Sequence, residues 1–266
     1  MELYKIQKDN YTVMIKIVGF IFILLVANGS AIAQYHFPEK GRIIFERKVN
    51  THAVLPRFVS EAGMASKAEV RDNVHNYMLK NPQFWNDSFQ LSFEEDKTYF
   101  EPLFVPGMQG IGISVSYANK VYTDFTKATV FAEKHVFNEV MQVKDVLRKI
   151  KWKLTDETRE IAGYECRRAN ALIMDSVYVV AFYTDAIKTK GGPEYFNGLP
   201  GMILGVALPH YHISYFASRV EISAAHLPVP GFKSNAVSHT VFNATVLNYL
   251  SKHDRLNSWT RVFMDL

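Results

Sequence analysis

Residues 191–212 read GGPEYFNGLPGMILGVALPHYH. The stretch packs five Gly and three Pro around two apolar runs and ends on two histidines one residue apart. Its first half reads as stiff backbone. Gly192-Pro193 sets a rigid turn, because the proline ring fixes its own φ near −65°. Gly198 and Gly201 bracket Leu199-Pro200, the placement expected where a chain takes positive φ or passes close to other groups. Met202 to Leu208 then re-enters the core as a strand. A stiff loop feeding a buried strand is therefore expected here. Gly192, Pro193, Gly198, Leu199, Pro200 and Gly201 form a candidate pocket rim, since a rigid loop can pre-organise a site.

The neighbouring segments set the fold class. Tyr164–Ile173 and Val177–Thr184 read as two strands joined at Asp175-Ser176. The second is apolar on both faces, as a covered central strand should be. Tyr211–Ile222 follows Met202–Leu208 through a turn at Pro209-His210. Its apolar phase slips between Tyr215 and Phe216, which predicts a bulge near Ala217. Further strands are expected at Gly41–Val49, Ser88–Glu94, Lys97–Phe104 and Lys120–Phe125, with a hairpin over Thr129–Val143 turning at Phe137-Asn138. Two helices are expected. Ser66-Lys67-Ala68-Glu69 has the form of a capping box. Val70, Val74, Tyr77 and Met78 then fall on one helical face, and Pro82 ends the segment. Val237–Leu250 places Phe242, Val246, Tyr249 and Leu250 together. The expectation is a mainly β (α+β) domain: a curved antiparallel sheet, half-barrel or sandwich, with one helix in the N-terminal half and one at the C-terminus.

Of the 266 residues, 48% are hydrophobic and 14% aromatic, enough for a large core without metals or disulfides. The net charge of +4 is spread along the chain and marks no nucleic-acid groove. Lys5, Lys8 and Lys16 precede an uncharged run from Ile17 to Ala27, and Ala31-Ile32-Ala33 has the form of a signal peptidase site. Residues 1–33 are accordingly expected to be a signal peptide, and 34–266 one domain. Met14 is an alternative start. The expected location is periplasmic or outer-membrane-associated, with no transmembrane span after cleavage.

Most catalytic signatures are missing: no Walker A loop, no GxSxG elbow and no HExxH helix. Gly110-Ile111-Gly112-Ile113-Ser114 lacks the order a serine elbow needs. The lone Cys166 lies mid-strand and reads as a structural thiol. His210 and His212, two apart on a strand, project to one face and are candidate zinc or copper ligands. Asp185 and Glu194 flank the opening stretch and form a candidate acid/base pair if the loop folds back. No cofactor is expected.

Several motifs in order resemble the GLPGLI family, a set of exported Bacteroidetes proteins. They are Ile161 to Ala169, Ala181-Phe182-Tyr183-Thr184, Gly192-Pro193 and Gly198 to Leu204. The resemblance implies an envelope protein without an assigned activity. Together with the missing catalytic signatures, it leads to the expectation of a non-enzymatic binding or accessory protein. An apolar cavity would take a lipid or peptide ligand, or an envelope protein would be its partner. The alternatives are metal handling through His210 and His212, or a carboxylate-dependent hydrolase.

Overall fold

In Lys40–Asn50, Ile43, Phe45, Arg47 and Val49 all point to one buried face, the period-2 pattern of a half-buried strand. This strand, β1, seeds a sheet whose other members are β2 (Phe84–Glu94), β3 (Lys97–Phe104), β4 (Lys120–Asp124), β5 (Thr129–Val136) and β6 (Glu139–Val146). The remainder are β7 (Lys153–Ile161), β8 (Tyr164–Ile173), β9 (Val177–Thr184), β10 (Met202–Leu208) and β11 (Ile213–Ile222). This computed structural model describes residues 38–61, 63–64, 66–104, 119–136, 139–223, 225–231, 235–252 and 262. The expected signal peptide, the Gly110–Ser114 segment and the Phe137-Asn138 turn lie outside the described residues.

Among the described residues eleven strands form one sheet in the order β6-β5-β4-β3-β2-β1-β11-β10-β9-β8-β7. Two antiparallel meanders thus meet at the β1–β11 seam. Chain geometry forces the sheet to curl. Laid flat, ten interstrand spacings span about 48 Å. Yet β6 and β7, at opposite edges, are consecutive in sequence, and the link from Val146 to Lys153 reaches about 25 Å at most. The edges must therefore approach each other. This curved open antiparallel sheet is the expected fold class.

The phase slip in β11 is resolved by a bulge. Ala217 pairs with Phe45 and Arg219 with Ile44, so Ser218 is the extra residue. Val220 and Ile222 then return to the face that carries Ile213 and Tyr215, opposite Ile43 and Gly41.

Among the described residues three helices are complete: α1 (Thr51–Glu61), α2 (Ala68–Lys80) and α3 (His239–Lys252). The capping box before α2 does not form. Lys67 is the N-cap, and its side chain makes no capping bond. The Ser66 carbonyl instead accepts from Arg71, 3.0 Å away. In α3, Phe242, Val246 and Leu250 are buried, while Tyr249 is 38% exposed.

Two elements escape the sequence reading. Helix α1 carries Pro56 in its middle, which removes an amide donor, but it buries Val54, Leu55, Phe58 and Val59. Apolar burial outweighs the proline there. Strand β7 has an almost wholly exposed polar sequence, KLTDETREI. As the sheet edge it needs only one partner, β8, and no apolar alternation.

Candidate functional site

The opening stretch forms a strap over residues 185–201, running from the end of β9 to the start of β10. It does not hang free. The Thr189 hydroxyl donates to the Glu95 carbonyl at 2.6 Å, tying it to the β2–β3 turn. The Trp152 indole N–H donates to the Asn197 carbonyl at 2.8 Å. Asn197 Nδ2 donates to the Tyr195 carbonyl at 2.8 Å. Ile187, Phe196 and Leu199 are buried in the core. A turn closed by Phe196 N–H on the Pro193 carbonyl, at 3.1 Å, holds Glu194 at φ +53°. Non-glycine residues seldom adopt that conformation.

This turn delivers the Glu194 side chain onto the inner face of the sheet. Its carboxylate accepts from Asn119 Nδ2 at 3.2 Å and from the Tyr215 hydroxyl at 3.2 Å. Beyond Tyr215 lies Arg47, 1% exposed and in a bidentate pair with Asp87, one of whose bonds is Nε to Oδ1 at 2.8 Å. The Arg47 guanidinium also lies 4.7 Å from the Phe89 ring centroid. Lys134, on β5, is 2% exposed and sits 4.5 Å from the centre of the Tyr195 ring. Four charged side chains thus lie sealed between sheet, strap and α3.

The electrostatics of the cluster follow from burial. Desolvation penalises the Glu194 carboxylate more than Arg47, Lys134, Asn119 and Tyr215 favour it, and its pKa is raised to about 7. Burial alone would lower the Arg47 pKa, but Tyr215 and Asp87 outweigh it and raise the value. A carboxyl poised near neutrality has the acidity of a general acid or base. Its residue is only 3% exposed, however, so in this conformation the group is sealed from bulk water.

The sequence-derived candidates fare differently. Asp185 and Glu194 are not a pair: Asp185 is exposed and bridges Arg167 at 2.9 Å, whereas Glu194 is sealed with Arg47. His210 and His212 do not lie two apart on a strand. His210 belongs to a 3-10 turn, Pro209–Tyr211, and His212 is its left-handed cap at φ +54°. Burial, Arg57 and His210 all lower the His212 pKa. Among the described residues no three His, Cys, Asp or Glu side chains gather in a form that could hold a metal ion. Cys166 is fully buried, and burial pushes its thiol up to about 12. In the motif loop, Gly198 and Gly201 have φ of +88° and +155°. Only Gly198 and Pro200 of the candidate rim are exposed. The expected apolar concavity is occupied by Phe45, Phe89, Phe100 and Tyr215, whose rings pack on one another beneath the strap.

Sequence reasoning missed Arg47, Asp87 and Lys134. The signal was present: each falls on the apolar phase of its strand. Arg47 follows Ile43 and Phe45, Asp87 precedes Phe89 and Leu91, and Lys134 follows Val130 and Ala132.

A curved antiparallel sheet with a strap closing on a buried charged cluster is the class of fold these observations define. Residues 113–215, from just before β4 into β11, match the family model described as N-glycanase peptide, N-terminal domain. That span holds Asn119, Lys134, Glu194 and Tyr215 of the cluster, but not Arg47 or Asp87. Two solved structures of PNGF-II are similar to this chain. One, in a P21 space group, has a TM-score of 0.50 at 16% identity and covers 78% of this chain and 33% of that one. The other, in a C2 space group, has a TM-score of 0.47 at 14% identity and covers 78% of this chain and 32% of that one. The chain thus spans about a third of the length of these structures. No curated protein sequence matches it.

These findings correct two expectations. The GLPGLI resemblance is overturned, because the matching family is the N-glycanase N-terminal domain. The physical reason is that Gly198-Leu199-Pro200-Gly201 encodes a backbone solution, two positive-φ glycines around a proline, which answers to conformation and does not by itself mark a family. The non-enzymatic binding or accessory reading is overturned with it, since the matching model is that of an N-glycanase domain. Of its alternatives, the metal reading finds no ligand group among the described residues, and the carboxylate reading loses its pair because Asp185 and Glu194 do not meet.

Proposed function

We propose that this chain works in the enzymatic processing of N-linked glycans. The observation that carries the reading is the match of residues 113–215 to the N-terminal domain of an N-glycanase. The shared fold supports it. Within this reading the strap and the Arg47–Glu194 cluster fix the inner face of the sheet, so that glycoprotein is met by a rigid surface. Export, with cleavage after Ala33, belongs to the same proposal, because it brings the chain to glycoproteins outside the cell. Intact mass of the protein recovered from its native envelope tests that step.

The activity is tested on an N-glycosylated protein with the glycan followed by mass spectrometry. One arm measures glycan loss caused by the chain alone. The second measures the rate at which PNGF-II releases the glycan with and without the chain added. Glycan loss in the first arm or a changed rate in the second supports the proposal. No effect in either arm, with PNGF-II itself active on the same substrate, overturns it.

A further inference from the structure

We propose that the strap is a proton-linked clasp: Glu194 is carried protonated onto the inner face of the sheet, and its ionisation loosens residues 187–201 from that face. The clasp is a property of the fold and stands whether or not the chain acts on glycans.

Geometry carries the argument. The strap meets the sheet through apolar anchors at both ends, Ile187 on one side and Phe196 and Leu199 on the other. Between them Lys188 and Lys190 are exposed, and Glu194 is the charged side chain that is buried, driven inward by its turn. The groups facing it are Asn119 before β4, Lys134 on β5, Tyr215 on β11 and Arg47 on β1. Arg47 is already satisfied by Asp87 on β2 in bidentate form. Lys134 leans on the rings of Tyr195, in the strap, and Phe242, in α3. The two direct partners of the carboxyl are therefore an amide and a phenol, at 3.2 Å each. Neutral donors at that distance replace only part of the hydration a carboxylate loses on burial. A protonated carboxyl loses far less. The closed strap consequently selects the protonated form, and by linkage the charged form favours opening.

The sign and size follow from the two states. In an opened strap Glu194 is solvated and titrates near its ordinary value of 4.5, whereas in the closed strap it titrates at about 7. Closure is fully supported below the lower value and loses support as pH rises through the upper one. Between pH 5 and pH 8 the opening equilibrium rises on the order of 70-fold, the ratio the two titrations give.

Hydrogen–deuterium exchange of the full chain, corrected for the intrinsic pH dependence of exchange, reads this directly. Peptides from 187–201 should lose protection by tens-fold between pH 5 and pH 8, while peptides from β8 and β9 change little. In Glu194→Gln, a neutral isostere of the protonated acid, the strap should stay protected across the range. In Tyr215→Phe, which removes a donor that favours the carboxylate, the midpoint of the opening transition should move to higher pH by less than one unit. A wild-type strap with pH-independent protection overturns the clasp. So does a Glu194→Gln strap that opens with the wild-type pH profile. If Glu194→Gln does not fold, the infrared carbonyl band of a buried protonated carboxyl decides the matter in the unmodified chain. Its disappearance between pH 5 and pH 8 supports the clasp, and its absence at pH 5 overturns it.

Discussion

Replacing Gly201 by alanine should be far more damaging than the same change at Gly198, three residues earlier in the same loop. Both glycines have positive φ, +88° at Gly198 and +155° at Gly201. They differ in what surrounds them. A Cβ on Gly198 meets only the Trp152 indole nitrogen, at 4.0 Å. A Cβ on Gly201 would lie 2.0 Å from the Thr184 carbonyl oxygen and 2.8 Å from its carbon. That obstacle is backbone at the end of β9, so no rotamer change removes it. Forcing a non-glycine residue into a sparsely populated region costs about 1–3 kcal/mol. Displacing packed backbone adds about 1–3 kcal/mol. Gly201→Ala should therefore lose about 4 kcal/mol. Gly198→Ala should lose about 1–2 kcal/mol from backbone conformation alone. Urea unfolding followed by circular dichroism measures both. A Gly201→Ala variant within about 1 kcal/mol of Gly198→Ala would show that the backbone contact has been given too much weight.

Four further outcomes follow from the same geometry. Asp87→Ala leaves the Arg47 guanidinium buried with its carboxylate partner gone, and should cost about 3–5 kcal/mol in a urea melt. Arg47→Met combined with Asp87→Leu should recover most of that loss, because the pair is replaced by apolar volume. Cys166, buried with its thiol raised to about 12, should resist alkylation at pH 8 in the folded protein and react at once in denaturant, read by intact mass. Glu94 is held below its ordinary 4.5 by the Leu227 backbone N–H and by His226. Its support is present above 4.5 and is lost as pH falls through the depressed value, so Glu94→Gln should flatten the acid side of the melting profile.

Gly198 and Gly201 mark where the sequence stops being informative. Both positions read alike in the chain, as glycines flanking a proline. Only the fold puts the Thr184 carbonyl against one of them. The same division runs through the whole molecule. Strand positions were encoded locally, because alternation in Tyr164–Ile173 reports which side is buried and the apolar run in Val177–Thr184 reports burial on both, and the bounds expected for these strands and for Lys97–Phe104 are the observed ones. The phase slip in Tyr211–Ile222 encoded the bulge for the same reason. Edge strand β7 left no such trace, since an exposed edge imposes no apolar period. Helix α1 was masked by Pro56, whose local cost is overcome by burial that no local window contains.

The site divides along the same line. By itself the sequence determined a curved antiparallel sheet and a stiff, glycine-bracketed loop leading into its core. It also placed Arg47, Asp87 and Lys134 on apolar phases of their strands. Which charges meet was decided by tertiary structure. Glu194 and Asp185 are close in sequence, yet one is sealed against Arg47 and Tyr215 and the other lies exposed beside Arg167. Arg47 and Tyr215 are 168 residues apart and become neighbours only because two meanders close at the β1–β11 seam. Local patterning sets the direction a side chain faces, but the partner it finds there depends on how distant strands are ordered in the sheet.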